Sequence, residues 1–223
     1  LGDVYKRQAI GIQLAKLGAL VMSGIKIKDL NLSNSSDNKA YFSVKEAVFP
    51  FSKFPEVDVL LGPEMKSTGE VMGFGKTFGE AYFKAQRAAG VILPKVGNVF
   101  ISVRDHDKEP ICEVASELID MGFKIYATSG TYNFLIDAGI ACSKINKVKD
   151  GHPHIVDMIK NNEVHLIINT TEGARSIKDS FSIRKEAQNH KISLTTTVSG
   201  AKAFCKAIKS VSYTHLTLPT IYS

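Results

Sequence analysis

Five short apolar runs in the second half of the chain, at residues 99–103, 123–127, 140–145, 164–169 and 192–196, alternate with helix-like segments at 110–121, 131–138, 153–161, 179–189 and 199–210. No other feature restricts the fold as strongly. Runs too short to be buried helices, separated by helical segments of about ten residues, pair in parallel through right-handed crossovers. The expectation is an α/β fold, a parallel five-stranded sheet flanked by helices.

In such a sheet the loops leaving the carboxyl ends of the strands converge on one edge, and the following helices aim their N-termini at it. Three loops at these ends carry groups suited to an anion. Asp107–Lys108 follows the first run, Ala127–Thr128–Ser129–Gly130–Thr131 ends the second, and Asn169–Thr170–Thr171–Glu172–Gly173 ends the fourth. Hydroxyls and an amide are neutral donors, an ammonium is a mobile point charge, and Gly130 permits close backbone approach. One Thr-Ser-Gly-Thr is commonly an ordinary turn or helix cap. Donor-rich loops at three of the strand ends point instead to one phosphate-bearing ligand.

Composition narrows the alternatives. The chain has 223 residues, 44% of them hydrophobic, and a formal charge of +6. The lysines are scattered, without a basic run or aromatic interleaving, so a nucleic-acid partner is not expected. Cys112, Cys142 and Cys205 are odd in number and widely spaced, the pattern of reduced buried thiols, not of a disulfide framework or metal site. No apolar stretch approaches the roughly 20 residues that span a bilayer, and no signal peptide is recognisable. A cytoplasmic protein is expected. His152 and His154 flank Pro153 with i, i+2 spacing, unlike the i, i+4 face of a helical zinc site, and read as helix-start packing. His106, His165 and His190 carry no assignment.

The first half is less regular. Residues 11–22 have the apolar spacing of a buried helix, 26–39 are Asn- and Ser-rich and read as a loop, and 41–51 read as a strand-pair region punctuated by Pro50 and Pro55. Residues 61–75 read as a glycine-flanked loop containing Glu64, Lys66, Ser67, Thr68 and Glu70, and 77–89 as a helix. The two acidic residues are assigned a surface or interdomain role. A hinge is expected at 94–98.

The series SVRDHDK, GFKIYATSGT, NKVKDGHPHIVDMIKN and IINTTEGARSIKDS closely resembles the methylglyoxal-synthase-like regulatory domain at the C-terminus of the carbamoyl-phosphate synthetase large chain. Upstream, SVKEAVFPFSKFPEVDVLLGPEMKSTGEVMGFGKTFGEAYFKAQ resembles the end of the second ATP-grasp half of that chain, in the same order. Together they cover about residues 9–210. The resemblance implies a remnant of an ATP-grasp α+β domain at 9–93 and a methylglyoxal-synthase-like allosteric domain at 94–210. Residues 1–8 and 211–223 do not match and are expected to be non-native extensions.

By this resemblance Lys108, Thr128, Thr131, Lys147, Asn169 and Thr171 fall where the family holds the phosphate of a nucleotide-monophosphate effector, UMP or IMP. Lys147 rests on the resemblance alone, and Arg175 offers a further contact. Glu46 and Thr196 fall at the positions of a second, ornithine site. There the family's aromatic hydroxyl two residues before the threonine is replaced by Leu194, which makes an ornithine response doubtful. The parent would be an ATP-dependent ligase making carbamoyl phosphate from bicarbonate, glutamine-derived ammonia and two ATP, for pyrimidine and arginine synthesis. Its partners would be the remainder of the large chain and a glutaminase small subunit. ATP and Mg or Mn belong to sequence upstream, so no catalytic residue, metal or cofactor is expected in this chain. Two other readings are a methylglyoxal-synthase-like lyase on a small phosphorylated substrate and a non-catalytic interaction module. The lyase needs a carboxylate base, for which the loop offers only Glu172, and its glycine-rich aspartate motif and later histidine are missing. A purine-pathway cyclohydrolase domain resembles the chain only as far as Thr131.

Overall fold

Residues 9–30, 41–51, 60–173, 178 and 180–214 are described by the structure, a computed structural model. In chain order the elements are α1 (Leu14–Met22), β1 (Phe42–Val48), β2 (Gly69–Gly75), α2 (Phe78–Ala88), β3 (Gly97–Ser102), α3 (Lys108–Asp120), β4 (Phe123–Ala127), α4 (Ser129–Asp137), β5 (Ser143–Lys144), α5 (Ile155–Lys160), β6 (Leu166–Asn169), α6 (Phe181–Asn189), β7 (Ser193–Thr195) and α7 (Val198–Thr214). Short 3-10 turns precede α3 at Asp105–Asp107 and α5 at Val148–Asp150.

Strands β3 to β7 form one parallel sheet in the order β5-β4-β3-β6-β7. Strand alternation divides the core. Val99, Ile101, Leu166 and Ile168 face one cluster with Ile111, Leu118, Leu135 and Phe204, from α3, α4 and α7. Phe100 and Ile167 face the other, with Ile155, Ile159 and Ile183 of α5 and α6. Both faces of the sheet are therefore covered, as parallel strands require. The order places β3 between β4 and β6, so the chain runs out to β5 and returns on the other side of β3. That reversal opens a crevice at the carboxyl ends of β3, β4 and β6.

Several expectations need correction. Residues 140–145 do not form a full strand. Gly139, at φ 77°, ends α4, the Ile140 N–H returns to Leu135, and only Ser143–Lys144 pairs, at the sheet edge. The helix expected at 11–22 forms over Leu14–Met22, yet none of its residues is buried. Periodicity defines an apolar stripe but not what covers it. The loop expected over 61–75 contains β2, which pairs antiparallel with β1 from Phe42↔Gly75 to Val48↔Gly69. The strand partner thus lies there and not within 41–51. Helix α7 continues past Ser210 to Thr214. Pro55, Arg175, residues 1–8 and most of the expected extension at 211–223 lie outside the described residues, as do residues 31–39 of the expected loop.

Helix α2 joins the β1–β2 pair to the sheet domain. Thr77 caps it, accepting the Glu80 N–H. Tyr82 packs against Phe204 of α7 with ring centroids 6.1 Å apart, and the Lys206 ammonium lies 5.9 Å from the Phe78 ring centre. Among the described residues no helix is long and apolar enough to cross a membrane. Cys112, Cys142 and Cys205 are free thiols. Burial pushes Cys205 up to about 12.

Candidate functional site

The crevice is a cleft of about 690 Å³, lined from every loop the topology brings to it. Ser102, Val103, Arg104, Asp105 and Lys108 come from the end of β3 and the start of α3. Thr128, Gly130 and Thr131 come from the β4–α4 turn, and Asn169, Thr170 and Glu172 from the end of β6. Lys147 and Val148 enter after β5, and Ser180 and Ile183 from the start of α6.

The donors are arranged by local hydrogen bonding. Thr131 is 2% exposed and its oxygen accepts the Val103 N–H at 3.2 Å. Its hydroxyl hydrogen remains available to the cleft. Thr128 shares a 3.0 Å hydrogen bond with Ser102, so one of the two hydroxyls keeps a proton to donate. Thr128 is also the N-cap of α4 and makes no side-chain cap bond, which leaves the amide groups of the first turn without side-chain acceptors. Asn169 is 2% exposed, and its side-chain nitrogen has no hydrogen-bond partner. A buried amide without an acceptor is costly, so this donor is held ready for a group that accepts.

Three cations stand around these donors, two of them in tight pairs. Arg104 Nε lies 2.8 Å from Asp107, and Arg104 Nη1 lies 4.0 Å from Glu172. The Lys108 ammonium lies 2.7 Å from Asp105. Lys147 makes no ion pair among the described residues and is exposed. Burial pushes the Asp107 carboxyl up, but hydrogen bonds from Thr170 and Arg104 outweigh it and hold the carboxyl below its ordinary value. Thr170 accepts the Arg104 N–H at 3.2 Å as well, which ties the β6 loop to the β3 loop.

The structure therefore brings Lys108, Thr128, Thr131, Lys147 and Asn169 to one cleft. Thr171 is half-buried and is not one of the lining residues, whereas its neighbour Thr170 is. Sequence reasoning passed over Ser102, Arg104 and Asp105. Their signal was their position just after the apolar run ending at Val103, where a strand-end loop begins. Glu46 lies on β1, where burial raises its carboxyl and Gln86 hydrogen-bonds it. Thr196 follows β7, and neither residue lines the cleft.

His152, His154 and Asp157 gather their ligating atoms within 4.8 Å. A capping box accounts for them. Asp157 accepts the His154 N–H at 2.8 Å, His154 Nδ1 accepts the Asp157 N–H, and His152 Nδ1 lies 2.7 Å from the same carboxylate oxygen. These contacts make the trio part of the start of α5.

A two-sided parallel sheet with a donor-lined cleft at its switch point defines the class, and the MGS-like domain family model matches residues 110–196. The chain is 55% identical over 205 residues to the carbamoyl phosphate synthase large chain of Pseudomonas syringae pv. tomato, an alignment covering 92% of this chain and 19% of that protein. It is 48% identical to the same protein of Xanthomonas axonopodis pv. citri with the same coverage. With that of Myxococcus xanthus it shares 47% identity over 209 residues, 94% of this chain and 19% of the relative. The chain belongs to the carbamoyl phosphate synthase large chain family and spans about a fifth of the length of the curated relatives it matches.

Proposed function

We propose that the cleft binds the phosphate of a nucleoside monophosphate, UMP or IMP, and that the chain serves as the regulatory segment of a carbamoyl phosphate synthase large chain. The observation that carries this reading is the buried, unpartnered Asn169 amide beside Lys108, Lys147 and the Thr128 and Thr131 hydroxyls. A phosphate supplies several acceptor oxygens and negative charge at one point, which that donor set matches. Thr171 joins the set through the family resemblance alone. Val148 and Ile183 give the cleft an apolar side against which a base packs.

On this reading residues 94–210 are the allosteric module and 9–93 the end of an ATP-grasp domain. The whole protein makes carbamoyl phosphate from bicarbonate, glutamine-derived ammonia and two ATP, with a glutaminase partner and with ATP and divalent metal held elsewhere in the large chain. Glu46 and Thr196 form a second effector position, weakened toward ornithine by Leu194. The lyase reading is less well supported, since Glu172 is an exposed carboxylate facing Arg104.

Calorimetric titration of the chain with UMP and IMP tests the cradle. A hydrogen bond to a charged group contributes about 1.5–3 kcal/mol, so Lys108→Ala or Lys147→Ala is expected to weaken binding by about 10- to 150-fold. Thr131→Val should cost less. Unchanged affinity in both lysine variants would remove the basis of the proposal.

A further inference from the structure

Resting on the phosphate reading, we propose that Asp105 is an internal competitor for the cleft: its carboxylate engages Lys108 where a ligand phosphate would, and a ligand gains Lys108 only by displacing it. The carboxylates in the cleft, Asp105 and Glu172, and the one beside it, Asp107, differ in how they are held. Asp107 is 8% exposed and fixed by Arg104 and Thr170. Glu172 lies at the long distance of 4.0 Å from Arg104. Asp105 alone among the described residues pairs directly with one of the two lysines, at 2.7 Å, while its own side chain is 94% exposed.

The partner it holds is placed for the ligand. Lys108 begins α3 and is only 20% exposed, and a Cβ at Gly130 would sit 3.6 Å from its ammonium. The ammonium thus lies over the first turn of α4, in the cleft that Thr128 and Thr131 also line. Asp105 reaches it from the solvent side, out of the 3-10 turn between β3 and α3. Lys147 also attracts this carboxylate, after Lys108, and the two hold its carboxyl below the ordinary value. One carboxylate therefore lies in the field of both lysines.

The energetics favour exchange over permanent blockage. An exposed pair at i, i+3 is weak and screened by salt. A phosphate dianion offers Lys108 twice the charge and brings acceptors for the threonines and Asn169, which Asp105 does not meet. Once displaced, Asp105 faces solvent at no packing cost. A singly charged ligand lacks that advantage, so the competitor makes the cleft select dianionic phosphates and lowers its affinity for all anions.

The test is UMP and inorganic phosphate titration of the whole chain against Asp105→Asn, Asp105→Glu and the double variant Asp105→Asn/Lys108→Ala. Asp105→Asn is expected to tighten UMP binding about two- to fivefold, with a smaller gain at high salt. Asp105→Glu should keep wild-type affinity, and the gain should vanish in the Lys108→Ala background. Unchanged or weaker binding by Asp105→Asn would overturn the proposal, and so would equal tightening by Asp105→Glu. Failure of the phosphate reading looks different, because Lys108→Ala and Lys147→Ala then leave UMP affinity unchanged. If only the competitor is wrong, those two variants weaken binding while Asp105→Asn does not strengthen it.

Discussion

Asp157 ties a helix start to pH. It accepts the His154 N–H and contacts the His152 ring, and these bonds, the backbone one first, hold its carboxyl below the ordinary 3.8. A carboxyl depressed on folding contributes stability above its unfolded value and loses it as pH falls through the folded one. Asp157→Asn is therefore expected to lower the urea midpoint at neutral pH and to have little effect in strong acid. His154→Ala removes the other half of the cap and should cost about 0.5–2 kcal/mol in the same measurement. At this scale the sequence was partly legible. Thr128, Thr131 and Asn169 could be placed because they end strongly apolar runs. Which of Thr170 and Thr171 faces the cleft depends on how β6 leaves the sheet. The Thr170 N–H still reaches Ser102, keeping that residue beside β3. Lys147 follows a two-residue edge strand that leaves no periodic trace.

The β1–β2 pair shows why an element can be hidden in plain sequence. Gly69, Gly73 and Gly75 make β2 read as a loop, since glycine weakens a strand interior. Two of those glycines are what allow α2 to lie against the strand. A Cβ at Gly73 would collide with the Ala81 carbonyl oxygen and the Ala85 nitrogen, both backbone atoms that no rotamer change moves, and one at Gly75 would meet the Ala81 nitrogen. Gly73→Ala is expected to cost about 1–3 kcal/mol as an overpacking substitution, read as a lower urea midpoint and faster amide exchange in β1 and β2. The five-stranded sheet was legible because its strands are β-branched and its helices carry regular apolar spacing. The short β5 was not, because Ile140 and Cys142 spend their apolar character on the core cluster under α3 and α4 instead of on a strand.

Across the whole molecule, the contact of α2 with α7 packs the β1–β2–α2 unit against the sheet domain. Gly79 permits it, since a Cβ there would strike the Lys206 carbonyl and the Ser210 hydroxyl of α7. Burial, and after it the nearby Glu46, push the Tyr82 phenol at that junction up to about 12. The proposed regulatory role predicts that this chain alone shows no bicarbonate-dependent ATP hydrolysis in a phosphate-release assay and forms no methylglyoxal from dihydroxyacetone phosphate. Turnover abolished by Glu172→Gln would favour the lyase instead. The most direct measurement of the central claim is a calorimetric comparison of UMP with uridine on the wild-type chain. UMP is expected to bind and uridine, lacking the phosphate, to bind at least about tenfold more weakly, with the UMP affinity falling as salt rises. Equal affinity for the two would contradict it and return the strand-end loops to ordinary turns and helix caps.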